Sequence, residues 1–302
     1  MRLAIFFSGP PRHLIHMLKR LQDEVIQGIS YQFDVFIHVW SEDGGEKARA
    51  TSTNHKNIDN IKKMFPFVRC VIVEQPYSDD FYEEFPSQYF EAGQSNPAAI
   101  MGMFIGVNRL INILRLTPIK YTHVLRLRTD MVLMSSTFYR EISELLNDKV
   151  YVSRNYLIPY SWVSDHVLMS PYSDFLSLWG IRDFESFFKD YRKAKANPER
   201  YLGRVAKKMG IKRKIRVKWI RYRHYHILYD AGRKNEPIWT LRVNSDNVKD
   251  VFSNPCEFID VSEKNDIECR LVSQKQNQDR YCRPVFIKFV ARILRFTTEK
   301  ND

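Results

Sequence analysis

YTHVLRLRTD, residues Tyr121–Asp130, reads as a strand that runs into a polar turn. Side chains alternate along a strand, so Arg126, Arg128 and Asp130 share one face. A buried strand seldom carries two arginines without partners for them. A carboxylate beside two guanidiniums at a strand end fits two arrangements. One is an Arg–Asp ion pair that closes the sheet end. The other is an anion site in which the Asp holds a divalent cation and an Arg meets phosphate oxygens.

Outward from this stretch, strands alternate with helices. Upstream, Ser95–Leu116 reads as a long helix with Ser95 as N-cap and Pro118 as stop signal, and its apolar residues recur with a period near 3.6. Arg2–Phe7, Phe33–Trp40 and Val68–Val73 read as buried strands, with helices over His13–Gln27 and Asn54–Phe65. Downstream, the pattern predicts a helix over Ser135–Leu146, strands at Lys149–Ser153 and His166–Ser170, helices near Ser173–Tyr191 and over Pro198–Met209, and one or two strands within Lys214–Tyr229. The expected fold class is α/β, with a mostly parallel sheet flanked by helices. Ligands of such sheets bind at the carboxyl ends of the strands. That rule singles out the loops Ser8–Arg12, Trp40–Gly45 and Thr129–Met131.

Composition narrows the classes. The 302 residues are 44% hydrophobic and 14% aromatic, enough for a sizeable core, and glycine is scarce at 11 residues. The apolar run Met1–Phe7 is too short for a leader and ends at Ser8-Gly9-Pro10-Pro11. No run approaches the ~20 apolar residues that span a bilayer. Cys70, Cys256, Cys269 and Cys282 form no C-x-x-C pair, so reduced thiols and a cytoplasmic location are expected. The net charge of +12 is uneven: residues 191–302 carry 27 Lys/Arg against 13 Asp/Glu. Tyr191–Arg223 holds 14 basic residues and one acid, Glu199. Such a block implies a polyanionic partner or a solvated basic face.

The candidate site residues follow from the three loops. Ser8-Gly9-Pro10-Pro11-Arg12 is not a P-loop. It is a tight turn or a phosphate contact, with Arg12 meeting phosphate and Ser8 a base or ribose. His38 and Trp40 share a face at the end of their strand, and Trp40 is a core residue or a stacking platform. Gln94 and Ser95 precede a helix N-terminus, where free N–H groups favour anions and where capping alone also explains a serine. Asp165, in a polar–aromatic loop before an apolar strand, is a hydrogen-bonding loop residue or a general base. Glu199 is a first-turn helix acid or an acceptor-side carboxylate.

Three segments, AIFFSGPPRH (Ala4–His13), FDVFIHVW (Phe33–Trp40) and YTHVLRLRTDM (Tyr121–Met131), with a fourth, WVSDHVLMS (Trp162–Ser170), resemble GT-A-type glycosyltransferases of bacterial lipopolysaccharide and capsule synthesis, the WavE-like families among them. The resemblance covers roughly residues 1–175. It implies a GT-A-like, Rossmann-related fold and a nucleotide-diphosphate sugar donor. Ser8, Gly9, Arg12, His38, Trp40, Gln94, Ser95, Arg126, Arg128 and Asp130 would line the donor pocket, and Asp165 would act as catalytic base. It also implies Mn or Mg at Asp130. The chain departs from the DxD pattern there: it reads Arg128-Thr129-Asp130, so other ligands, His224 or His226 among them, would have to join.

The basic block interleaves Lys207–Arg223 with Trp219, Tyr222 and Tyr225. That mixture also suits RNA, but no nucleic-acid-binding signature accompanies it. PVFIKFVARILRF (Pro284–Phe296) reads as a basic amphipathic helix of the kind that lies on an anionic membrane. The expected organisation is a catalytic domain over residues 1–230 and a basic C-terminal extension over 231–302, with its helix near 284–297. The expected reaction moves a sugar to a glycan or lipid-linked glycan acceptor at the inner membrane face. Rival readings are a sulfotransferase-like enzyme, whose phosphate loop Pro10-Pro11 fits poorly, and a nucleic-acid-binding protein.

Overall fold

The computed structural model describes residues 1–11, 13–41, 60–74, 97–154, 161–195, 197–221, 224–230 and 241–243. All of these residues fall within the unit Met1–Phe258. The expected C-terminal helix lies outside the described residues.

Buried apolar strands form the frame. β1 (Arg2–Gly9), β2 (Gln32–Trp40) and β4 (His123–Arg128) have almost no exposed residue, as parallel strands covered on both faces require. With β3 (Val68–Glu74) they form the parallel part of a seven-stranded sheet, ordered β3-β2-β1-β4-β7-β6-β8. β7 (Val167–Pro171) runs antiparallel to β4, and β6 (Val150–Arg154) antiparallel to β7. β8 (Ile215–Ile220) closes the edge parallel to β6. This is the α/β class expected from the alternation of elements, as a mixed, mostly parallel sheet. A small second sheet pairs β5 (Met131–Leu133), β9 (Tyr225–Asp230) and β10 (Leu241–Val243).

The two-residue period of β1 sorts the core. Leu3, Ile5 and Phe7 pack with α1 (Leu14–Ile26), while Ala4 and Phe6 pack with α3 (Pro97–Leu116) and α5 (Tyr172–Trp179). Close approach of α3 depends on two glycines one turn apart. A Cβ on Gly106 would lie 2.7 Å from His38 Nδ1, and one on Gly102 would lie 3.1 Å from the Trp40 ring.

The structure corrects the sequence reading in three places. Ser173–Tyr191 is two helices, α5 and α6 (Phe184–Lys193), rather than one. Gly180 ends the first, where a Cβ would meet the Leu176 carbonyl oxygen at 2.5 Å. Asp183 caps the second, its carboxylate accepting from the amides of Glu185 and Ser186. Asn108 on α3 spans the break, donating to the Trp179 carbonyl and accepting from Ile181 N–H. Ser135–Leu146 is not a regular helix either. It is a single α turn, α4 (Phe138–Glu141), followed by a 3-10 turn (Ile142–Leu145). The buried Glu24 carboxylate of α1 accepts from the first amides of α4, Tyr139 and Arg140. β5 appears where a loop was expected, because Met131–Leu133 finds its partner in β9, about ninety residues on. Asn54–Phe65 is described only from Asn60, and there the helix α2 covers Ile61–Met64.

Candidate functional site

The loop after β1 and the turn after β4 are tied together at the carboxyl edge of the sheet. Ser8 pairs with Arg128 in the β1–β4 register and with His38 in the β1–β2 register. Gly9 turns the chain at φ +135°, a conformation that residues with a Cβ avoid. Thr129 Oγ1 donates to the Pro10 carbonyl at 2.5 Å, and His13 N–H donates to the Thr129 carbonyl at 3.2 Å. Two of the three loops singled out by the strand-end rule therefore meet. Beyond Ser41 the third lies outside the described residues, as do Arg12, Gln94 and Ser95. The buried Ser8 Oγ has no hydrogen-bond partner among the described residues.

Charge is concentrated at this edge. Arg128 donates to both carboxylate oxygens of Asp130, Nε to Oδ1 and Nη2 to Oδ2, each at 2.7 Å. Asp130 is only 2% exposed. Arg126, on the same face, is 1% exposed and lies over the Trp179 ring, 4.5 Å from its centroid. Its Nε and Nη1 have no hydrogen-bond partner among the described residues. Burial pushes this guanidinium down to about 10; Asp165 and Asp130 oppose that shift and Arg128 adds to it.

β7 is antiparallel to β4, so its entrance meets the exit of β4. Leu127 pairs with Val167, which brings Asp165 and His166 to the same rim. Arg128 Nη1 is 3.9 Å from Asp165 Oδ2. His166 Nδ1 hydrogen-bonds Tyr225 Oη at 3.0 Å, and its Nε2 is 3.7 Å from Asp165 Oδ1. Burial drives the imidazole down to about 3, so it is neutral. Burial also opposes charge on Asp165, yet its carboxyl is held below the usual carboxylate range. With His166 neutral, the guanidiniums of Arg128 and Arg126 are the standing cause of that depression.

A serine ladder fixes this segment. Ser153 Oγ donates to Ser164 Oγ at 2.9 Å, His166 N–H donates to Ser164 Oγ, and Val167 N–H donates to Ser153 Oγ. The start of α7 (Pro198–Lys208) is clamped to the same loop. Val163 N–H donates to the Glu199 carbonyl at 3.0 Å, and a Cβ on Gly203 would lie 2.4 Å from the Ser161 carbonyl oxygen.

The fold resembles solved glycosyltransferases. GlyE of Streptococcus pneumoniae is 10% identical, over 72% of this chain and 46% of that one, with a TM-score of 0.38. The galactosyltransferase LgtC, solved with donor and acceptor sugar analogs, is 11% identical over 72% of this chain and 73% of its own, at 0.39. Mouse xyloside xylosyltransferase 1 is 11% identical over 72% and 85%, at 0.34. The chain thus spans less than half the length of GlyE. No protein-family model and no curated protein matches it.

The remaining candidates fall into place around the rim. His38 and Trp40 lie under α3, His38 bonding Glu74 at 2.9 Å and stacking edge-on against Trp40 with ring centroids 4.7 Å apart. Glu74 in turn accepts from Arg109. His224 serves a turn, its Nδ1 accepting from Ile220 N–H at 3.0 Å, and His226 is buried in β9. Sequence reading did not single out Trp179, and it placed Arg221 and Tyr225 only in the basic–aromatic block. Arg221 is buried and lowers the basicity of His166, and Tyr225 bonds that imidazole. Trp179 lies under Arg126, and none of these contacts is written in local sequence.

Proposed function

We propose that the chain is a glycosyltransferase that moves a sugar from a nucleotide-diphosphate donor to a glycan hydroxyl. The observation that carries this reading is the buried group of Arg126, Arg128, Asp130 and Asp165 at the carboxyl edge of the sheet, where α/β folds bind ligands. Guanidiniums at that edge can take up the charge that develops on a departing diphosphate. The guanidinium of Arg128 beside Asp165 favours its carboxylate form, so it can accept the proton of the acceptor hydroxyl. The hydroxyl oxygen bonds the anomeric carbon, the bond from that carbon to the phosphate oxygen breaks, and the proton passes to the Asp165 carboxylate.

The Mn or Mg that the sequence resemblance implies fits Asp130 poorly. Both of its oxygens accept from the Arg128 fork, and the carboxylate is shielded from solvent. In this reading Asp130 holds Arg128 in place for the phosphates, and Ser8 and Gly9 shape the floor of the pocket. The finer reading is a lipopolysaccharide- or capsule-type enzyme of the WavE-like kind. It acts on a lipid-linked acceptor and is held at the cytoplasmic membrane face by the basic C-terminal extension. Its support is the sequence resemblance, the basic block Tyr191–Arg223 and the basic amphipathic pattern of Pro284–Phe296 within the extension. Among the described residues no helix is long and apolar enough to cross a membrane.

The test is a thermal-shift panel of nucleotide diphosphates and nucleotide sugars. At least one should raise the Tm, and Asp130→Ala should abolish that shift. No stabilisation by any of them, together with tight RNA binding, would overturn the reading in favour of a nucleic-acid-binding protein.

A further inference from the structure

We propose that Asp165, His166 and Glu199 form a binding site for one divalent transition-metal cation. One ligand atom from each lies within 4.8 Å of the other two. An ion central to such a triangle stands at most about 2.8 Å from each atom. A contraction of roughly 0.5–0.8 Å then gives the ~2.0–2.3 Å of metal–nitrogen and metal–oxygen bonds. One imidazole with two carboxylates suits Mn, Co or Zn better than an all-oxygen cation such as Ca.

The framework around the three is already rigid, which is what a metal site asks of its supports. Tyr225 Oη holds His166 at Nδ1, leaving Nε2 towards Asp165. In the tautomer that donates from Nδ1, Nε2 carries a lone pair facing that carboxylate, an arrangement that a cation relieves. The serine ladder fixes the backbone of Asp165 and His166. Gly203, one helical turn beyond Glu199, lets the 161–165 loop lie directly on α7, and the Val163–Glu199 backbone bond sets the register. Asp165 and Glu199 are 34 residues apart in sequence, and this clamp is what brings them together. Among the described residues three guanidiniums border the site: Arg128, whose fork is closed on Asp130 and whose nearest nitrogen is 3.9 Å from Asp165, and Arg126 and Arg221, which act on Asp165 and His166. The two carboxylates must outweigh them for the cation to stay.

This site stands on its own three side chains and not on the transferase reading; with the cation bound Asp165 is a ligand, and the role of base proposed above belongs to the cation-free chain. The experiment is a titration of the full-length protein with Mn(II) alone, with free Mn(II) followed by electron paramagnetic resonance. About one ion per chain should be taken up, and Zn(II) should displace it. Glu199→Gln should weaken uptake at least tenfold while leaving the circular dichroism spectrum unchanged, because the backbone carbonyl of Glu199 makes the clamp on Val163. Asp165→Asn should weaken uptake likewise, with a lower Tm because Asp165 is a counter-charge of the buried Arg126. No uptake by the wild-type chain, or uptake that neither substitution alters, would overturn the proposal. The nucleotide panel reads the transferase proposal separately, so the two can fail independently.

Discussion

The Arg128 guanidinium closes on both oxygens of the Asp130 carboxylate, two residues along the same chain, at 2.7 Å each. A bidentate fork of this kind is planar and directional, and lysine cannot reproduce it. Arg128→Lys should therefore weaken donor-induced stabilisation markedly even though the charge is kept. Asp130→Asn should destabilise the fold by about 3 kcal/mol, since it strips the partner from a largely buried cation. Chemical denaturation of both variants checks this. Stabilities within 0.5 kcal/mol of wild type, roughly the scatter of surface substitutions, would show that the pair does not hold the rim together.

Asp165 separates binding from chemistry. Asp165→Asn keeps the shape of the side chain and removes its ability to take a proton. Sugar transfer should fall by about 10²-fold or more, while the thermal shift produced by the donor stays near that of wild type. If transfer persists in the variant, the base lies elsewhere.

Gly106 tests the packing of α3 on the sheet. Alanine is favoured over glycine in a helix by about 1 kcal/mol, so an open position would gain stability. Here the new methyl would press on His38, whose ring is held by Glu74 on its other side. Gly106→Ala should destabilise by about 1–3 kcal/mol, with a smaller loss for Gly102→Ala against Trp40. A rise in Tm for Gly106→Ala would refute the contact.

Acid should unfold this protein through its histidines. Burial holds His38, His123 and His166 below their ordinary value of 6.5. Glu74 opposes that shift at His38, the Asn147 carbonyl at His123 and Asp165 at His166. The unfolded chain titrates them near 6.5, so below that pH it binds more protons than the folded one. Stability should therefore fall as the pH drops from 7 to 5, each histidine adding up to about 1.4 kcal/mol per pH unit. His123→Asn should flatten the slope by one such increment. A profile that is level or rises on acidification would contradict the burial of neutral imidazoles.

The parts of the fold that were legible in the sequence are those written in local pattern. β1, β2 and β4 carry near-continuous apolar runs, and side-chain alternation alone put Arg126, Arg128 and Asp130 on one side. The same alternation left open whether Arg128 pairs with Asp130 or waits for a ligand, because both arrangements use the same face. Other features depend on distant partners. β5 is three residues long and exists because β9 reaches it. The helix break at Gly180 had two readable signals, a glycine and an N-capping aspartate, overridden by an apolar run that continues through it. Trp179 under Arg126 had no local signature, and Glu199 stood out as the lone acid of a basic block without any sign that it lies beside Asp165. Gly203, one turn beyond Glu199 on α7, was the one clue that something packs closely there.

The reversal of direction between β4 and β7 has a consequence for how such a site can diversify. One strand ends at the rim where the other begins, so Asp130 closes one segment of sequence and Asp165 opens another. The chain between them carries β6, which pairs with β7, and the serines that fix the second segment. Asp165 is therefore supported by a strand and side chains that Asp130 does not use, so substitutions on β6 would retune the Asp165 side of the crevice while the Arg128–Asp130 fork keeps its place at the end of β4.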